Sequence, residues 1–158
     1  MKKLLFLFCL LSWSVLHAQK TINRPPFIAK ATETIEIAAV HLSDTATVVD
    51  VDAKFTPKYW IRIAPATCLV ADNGERYQVR QGVGIELGQE FWMPESGEAT
   101  FSLIFPPLPP SVKSFDFVEG EGERDFNLFG ISLTGKLPKL QLLKGLEKAG
   151  KMTAVALP

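Results

Sequence analysis

Carboxylates occur in the sequence at a spacing that could support general acid–base chemistry. Asp50 and Asp52 alternate with apolar residues, which would place them about 7 Å apart on one face of a strand. A pair of carboxylates at that distance could serve a glycosidase, but outward positions on a strand lack the walls of a cleft. We therefore interpret this pair as part of a solvated strand face.

A second acidic segment contains Glu119, Glu121, Glu123 and Asp125. Oxygen ligands of this kind suit calcium, yet the spacing does not follow the ligand positions of an EF-hand loop. A charged hairpin tip explains the segment better than a metal site does.

One histidine and one cysteine, His41 and Cys68, follow the first eighteen residues. Zinc needs about four ligands, and a serine hydrolase needs a base beside a G-x-S-x-G elbow, which the chain lacks. The sequence therefore offers no catalytic, metal-binding or cofactor-binding residues, and we expect a protein that is not an enzyme. Cys68 lies among apolar residues in TCLVA, which favours a buried, unreactive thiol. An exposed Cys68 could instead form a mixed disulfide with a redox partner.

Aromatic residues are the remaining candidates for a binding site. Trp60 lies in YWIRI, and Phe91, Trp92 and Met93 lie in EFWMPESGE. Aromatic side chains beside polar loops are typical of surfaces that bind glycans or peptides. The alternative, which we favour, is that Phe91 and Trp92 fold back as a lid over one end of the core. A loop as long as residues 81–97 needs side chains that pack it against the domain, and its own aromatic residues are the obvious ones.

Apolar and polar residues alternate with a period of two, which predicts β-strands in eight segments: 33–42, 45–55, 59–63, 67–71, 76–80, 98–105, 113–119 and 126–133. In the second segment, Val49, Val51, Ala53 and Phe55 are predicted to face the core. Asn73-Gly74 predicts a tight hairpin turn between the fourth and fifth segments.

These segments predict an all-β fold, an antiparallel immunoglobulin-like β-sandwich of about seven to eight strands. A small barrel is the alternative. The predicted domain covers residues 33–135 and follows a polar lead at 19–32. Residues 136–158 form a basic tail that is linker-like or weakly helical, since 136–151 carry five lysines against Glu147. The tail would be either a frayed terminus or a docking segment for an acidic partner.

The first eighteen residues, MKKLLFLFCLLSWSVLHA, predict a signal peptide, with a basic start, a short apolar stretch and a small residue at the end. A membrane span needs about 20 apolar residues. Without this segment the chain carries 15 basic and 17 acidic residues. That balance argues against a nucleic-acid partner, which would need a basic patch. With Cys68 as the single remaining cysteine, no intrachain disulfide can form.

Several phrases of the sequence resemble the N-terminal region of secreted thioredoxin-like thiol–disulfide oxidoreductases. They include RPPFIAKATETIEIAAVHLSDTATVV, GIELGQEFWMPESGEATFSLIFPPLPPSVKSFDFVEG and FNLFGISLTGKLP, which together span most of residues 24–138. In that family a β-sandwich precedes the redox domain, so the resemblance implies the same fold here. The chain contains no C-x-x-C motif, so the resemblance does not extend to redox activity.

These observations predict an exported, non-catalytic interaction or accessory module of the cell envelope, periplasmic or associated with the outer membrane. Its partner would be an envelope protein or a glycan, with no membrane span once the signal is removed. The alternatives are a redox-associated accessory protein that uses Cys68 and a carbohydrate-binding module that uses Trp92 and Trp60.

Overall fold

A computed structural model describes residues 19–120, 122 and 125–137 of the chain. Twelve strands follow one another along it: β1 (Lys20–Asn23), β2 (Ala29–Lys30), β3 (Ile35–Leu42), β4 (Thr47–Lys54), β5 (Trp60–Ile61), β6 (Cys68–Ala71), β7 (Arg76–Gln78), β8 (Gln81–Val83), β9 (Phe91–Trp92), β10 (Glu98–Phe105), β11 (Ser114–Val118) and β12 (Asn127–Ser132). Within these ranges there is no helix, and hence none that could cross a membrane. The predicted signal peptide and residues 138–158 lie outside the described residues.

The strands form two five-stranded antiparallel sheets and one two-stranded ribbon. Sheet A has the order β1-β3-β4-β10-β8, and sheet B has the order β2-β12-β11-β6-β7. The ribbon pairs β5 with β9. The predicted all-β sandwich class is therefore confirmed.

The inward-facing side chains of the two sheets build one core. Val49, Val51 and Ala53 of β4 are buried, as their alternation predicts. Phe105 of sheet A and Phe117 of sheet B meet edge to face, with ring centroids 6.4 Å apart. Offset and edge-to-face arrangements suit the charge distribution of aromatic rings, so this pair stabilises the contact between the sheets beyond its buried area.

Phe55 does not face the core, so its predicted inward position is wrong. β4 ends one residue earlier, at Lys54, and Phe55 is 38% exposed. The backbone N–H of Phe55 donates to the carbonyl of Gly97 at 2.9 Å, outside the β4–β10 ladder. Because the strand has ended, its alternation no longer determines which way this side chain points.

The segment predicted as a loop, residues 81–97, contains two short strands. β8 adds an edge strand to sheet A beside β10, and β9 forms half of the ribbon. The polar lead at 19–32 likewise contributes an edge strand to each sheet, β1 to sheet A and β2 to sheet B. The strand structure therefore begins at Lys20 and not at residue 33.

The stretch that carries β9 and β10 runs from one end of the sandwich to the other. At one end, Glu98 pairs with Lys54 and is preceded by the ribbon. At the other end, Phe105 pairs with Thr47 and is followed by prolines, and the N–H of Leu108 donates to the Thr47 hydroxyl at 3.0 Å. We call these the aromatic end and the proline end.

Candidate functional site

The ribbon at the aromatic end presents two tryptophans side by side. Trp60 of β5 lies directly opposite Trp92 of β9, and the next pair is Ile61 with Phe91. Residues that face each other across an antiparallel pair point to the same side. The two indole rings therefore share one face, and they are 42% and 60% exposed.

The opposite face of the ribbon is buried. Ile61 and Met93 are 4% and 3% exposed, and both belong to the hydrophobic core. Phe91 is half-buried, with its ring centroid 6.3 Å from that of Phe101 in β10. We call residues 59–61 and 91–93 the aromatic ribbon: its inner side chains anchor it to the sandwich, and its outer ones meet solvent.

Hydrogen bonds and one ion pair hold the chain around the ribbon. The N–H of Met93 donates to the carbonyl of Tyr59 at 2.8 Å, and the N–H of Lys58 donates to the carbonyl of Met93 at 3.2 Å. The Lys58 ammonium contacts the Glu95 carboxylate at 2.9 Å, although both side chains are largely exposed and the pair adds little stability. Tyr59 itself is 62% exposed, so three neighbouring aromatic side chains face water.

The sequence interpretation of this loop is half right. Phe91 and Met93 do cover the aromatic end of the core, but Trp92 points away from it, so its predicted role in the lid is wrong. Of the four candidate binding residues, Trp60 and Trp92 are available to a ligand. Phe91 is half-buried, and Met93 is buried and available only as support.

A groove of about 610 Å³ lies beside Trp60 and between the two sheets' loops. Of the residues that the structure describes, three with aromatic side chains line it, Phe55, Trp60 and Phe126, together with four charged ones, Glu33, Arg62, Glu119 and Asp125. We call it the acidic groove. Phe55 and Phe126 were not among the candidate residues, because both lie in segments predicted as strands, 45–55 and 126–133, and Phe55 was assigned to the core.

Glu119 is the most deeply buried of the charged residues in this groove, at 9% exposed. Its two carboxylate oxygens accept hydrogen bonds from the backbone N–H groups of Ala64 and Phe126, each at 2.8 Å. Its own N–H donates to the side-chain oxygen of Asn127 at 2.9 Å. One carboxylate thus joins the segment after β5 to the segment before β12.

The pKa of Glu119 lies above its ordinary value, chiefly because burial disfavours the charged form. The backbone donors of Phe126 and Ala64 act in the opposite direction, as does the guanidinium of Arg62, whereas the neighbouring carboxylate of Asp125 raises the pKa further. The groove thus holds a carboxylate whose negative charge is incompletely compensated by the protein.

The acidic segment that contains Glu119 does not form a metal site in the part of the chain that is described. Glu121 and Glu123 lie outside the described residues. Asp125 accepts a hydrogen bond from the N–H of Gly122 at 2.7 Å, as in a tight turn. Among residues 19–120, 122 and 125–137, no group of three or more His, Cys, Asp or Glu side chains has the arrangement to hold a metal ion.

His41 and Asp50 belong to a hydrogen-bonded network on sheet A. Asp50 accepts from Ser102 and contacts His41 Nε2, each at 2.7 Å, and His41 Nδ1 lies 3.0 Å from the Thr21 hydroxyl. These residues stand on four adjacent strands, with β3 and β4 in the interior of the sheet. Asp52, the other member of the predicted pair, contacts Arg24 at 3.1 Å.

Cys68 is a free cysteine and is buried, at 3% exposed, which confirms that part of the prediction; its lack of reactivity stays a prediction. Its neighbours in β6, Leu69 and Ala71, belong to the core, whereas Cys68 does not. It lies opposite Gln78, and Arg76 donates a hydrogen bond to its sulfur at 3.1 Å. The thiol is therefore on the outer side of sheet B, contacted there by an exposed arginine.

The chain matches no family model, no curated protein and no solved structure.

Proposed function

We propose that the protein is an exported, non-catalytic interaction or accessory module of the cell envelope, and that the aromatic ribbon is its binding surface. The observation that carries this proposal is the exposed pair of Trp60 and Trp92, opposite each other on one face of the ribbon. Export rests on the signal-like first eighteen residues. The accessory role is supported by the resemblance to the β-sandwich region of secreted oxidoreductases.

The ribbon has the physical properties of a binding hot spot. Tryptophan and tyrosine are enriched among the residues that dominate protein interfaces, because they bury a large area and fix few torsions. Here the strands that carry them are anchored by Ile61 and Met93 in the core. Anchoring lowers the ordering cost of binding, since the rings are already held at the surface before the partner arrives.

A carbohydrate-binding module is a second candidate, favoured by the same tryptophan pair. Two indole rings exposed on one face could stack against the apolar faces of neighbouring sugar units. A neutral glycan would require the rings but not the charges of the acidic groove. Binding to polysaccharides embedded in a native gel, lost in Trp60→Ala and Trp92→Ala, would support this candidate over a protein partner.

A redox role through Cys68 is the third candidate, and the surroundings of the thiol count against it. A mixed disulfide needs a sulfur that the partner can reach, whereas Cys68 is 3% exposed and Arg76 lies against its sulfur at 3.1 Å. This candidate requires the arginine to move aside in the native state.

The proposal is tested by capturing envelope proteins on immobilised residues 19–158 and identifying them by mass spectrometry. Trp60→Ala and Trp92→Ala are compared with Val83→Ala, which removes an exposed apolar side chain from β8 instead. We expect a partner that binds the native protein and Val83→Ala but neither tryptophan variant, although both variants still fold. A partner retained by both tryptophan variants would contradict the assignment of the ribbon as the binding surface.

A further inference from the structure

The acidic groove lies beside the tryptophan pair and shares Trp60 with it. We propose that this groove receives a lysine or arginine side chain of the partner protein, held between aromatic rings and carboxylates. The inference rests on the proposed function, because it names the chemistry that the partner must present next to the aromatic ribbon.

The aromatic walls of the groove suit a cation. Phe55 and Trp60 are 38% and 42% exposed, and Phe126 is half-buried, so each ring retains a surface that a ligand can reach. The face of an aromatic ring carries negative charge density and attracts ammonium and guanidinium groups, most strongly for tryptophan. Aliphatic stems of lysine and arginine would cover the remaining apolar surface.

The charges of the groove also favour a cation. Among the described residues that line it, three carboxylates stand against one guanidinium, that of Arg62. The Glu33 carboxylate is already countered by Lys30 at 2.7 Å, so Glu119 and Asp125 supply the charge that a ligand would meet. An anionic ligand would face these two carboxylates and would be repelled.

Glu119 can bind a cation without giving up its structural hydrogen bonds. Each of its oxygens accepts one backbone N–H, and a carboxylate oxygen has a further acceptor site. Those backbone bonds hold the carboxylate in place, so it need not be ordered when the ligand binds. At about 610 Å³, the groove is within the roughly 300–1,000 Å³ range of small-ligand pockets and accommodates a long side chain.

A bound cation would also offset the free-energy cost of burying the negative charge of Glu119. Burial raises the pKa of Glu119, and a positive charge beside it would lower that pKa again. The other titratable groups that line the groove are Glu33, Arg62 and Asp125. Protonation of Glu119 weakens the attraction, so the affinity for a cationic ligand should fall as the pH is lowered through the raised pKa of Glu119.

The test is a titration of residues 19–158 with an N-acetylated, C-amidated peptide of alternating glycine and lysine, followed by calorimetry and tryptophan fluorescence. The matched peptide carries glutamate in place of lysine. We expect the lysine peptide to bind and the glutamate peptide not to bind. Raising the salt from about 0.05 M to about 0.5 M should weaken the binding, because ionic screening shortens the reach of the charges.

Three variants separate the contributions of ring and charge. Trp60→Ala and Asp125→Asn should each weaken lysine-peptide binding about fivefold or more. Arg62→Gln should strengthen it, because the competing cation is removed, and a folding defect cannot produce such a gain. Glu75→Gln is the control, because it removes a carboxylate that is remote from the groove. Glu75 follows the Asn73-Gly74 turn at one end of β6, whereas Cys68, at the other end of β6, pairs with Val118, the residue before Glu119.

Equal binding of the lysine and glutamate peptides would overturn the inference, as would an affinity that Asp125→Asn and Arg62→Gln leave unchanged. Such results would leave the proposed function intact if the envelope partner were still lost with Trp92→Ala. Conversely, a lysine peptide that binds in the groove, together with an envelope partner retained by Trp92→Ala, would uphold the cation site and remove the ribbon from the proposed function.

Discussion

Met93→Ala should destabilise the protein more than Trp92→Ala, although tryptophan is the larger residue. The two side chains are adjacent in sequence and lie on opposite faces of the ribbon, at 3% and 60% exposed. Removing Met93 leaves a cavity in the core, whereas the space vacated by Trp92 fills with water. Only the first change therefore adds a cavity cost to the loss of buried area.

The expected magnitudes follow from these burials. A buried methionine truncated to alanine costs about 3 kcal/mol. About two fifths of the surface of Trp92 is buried. Since a fully buried aromatic side chain buries roughly 150–250 Å², about 60–100 Å² would be lost, which corresponds to about 1.5–2.5 kcal/mol at about 25 cal/mol per Å². The unfolded chain already buries part of that area, which brings the cost of Trp92→Ala to about 1–2 kcal/mol.

Thermal unfolding followed by circular dichroism measures the contrast. At roughly 2–4 °C per kcal/mol for a chain of about this size, Tm should fall by about 6–12 °C in Met93→Ala and by about 2–8 °C in Trp92→Ala, with the larger fall in Met93→Ala whatever the scale for this protein. Val83→Ala, at an exposed edge position, serves as the near-neutral control. A Trp92→Ala variant that loses as much Tm as Met93→Ala would refute the placement of Trp92 on the surface.

Three further predictions follow from single sites. Gly97→Ala should lower the free energy of unfolding in urea by about 2 kcal/mol, which is more than Gly74→Ala should cost. The reason is that a Cβ at Gly97 would lie 2.6 Å from the Phe55 carbonyl oxygen, whereas a Cβ at Gly74 would meet nothing within 4 Å. Equal losses in the two variants would contradict this account. Cys68 should react with an aromatic disulfide reagent only at the rate of unfolding, and faster in Arg76→Ala, so immediate stoichiometric labelling of the native protein would restore the redox candidate. Partial burial raises the pKa of Asp50, but hydrogen bonds from Ser102 and His41 outweigh it and leave that pKa below its usual value. Its contribution to stability is therefore present above the pKa of an unfolded aspartate, about 3.9, and is lost as the pH falls through the lower folded pKa. Urea unfolding at a series of acidic pH values should show a shallower decline in Asp50→Asn, and parallel declines would argue against the network.

The sequence supplied the long strands because each presents one face to the core and the other to water. All eight predicted segments contain a strand, and the Asn73-Gly74 turn joins β6 to β7 with Gly74 at a φ of 87°. The four strands that were missed are β1, β2, β8 and β9, each two to four residues long. β5 and β7 are just as short, but they lie within the longer alternating segments 59–63 and 76–80, whereas the missed strands lie in the polar lead at 19–32 and in the 81–97 loop, where the sequence shows no such run. Of the missed strands, β1, β2 and β8 each pair with a longer strand, and β9 pairs with the equally short β5.

The aromatic ribbon was missed for a different reason, since Phe91, Trp92 and Met93 are all apolar and show no polar alternation. The pleat of a strand nevertheless sends successive side chains to opposite faces, so three large apolar residues in a row cannot all enter one core. The strand can face the core in two orientations: one buries Phe91 and Met93 and exposes Trp92, and the other buries Trp92 alone. The first buries more apolar area and is the one observed. The same geometry places Trp60 outward, because Trp60 lies directly across the ribbon from Trp92. The core thus accounts for Phe91 and Met93 but does not require a tryptophan at either exposed position, and this is the observation on which the proposed binding role of the two rings rests.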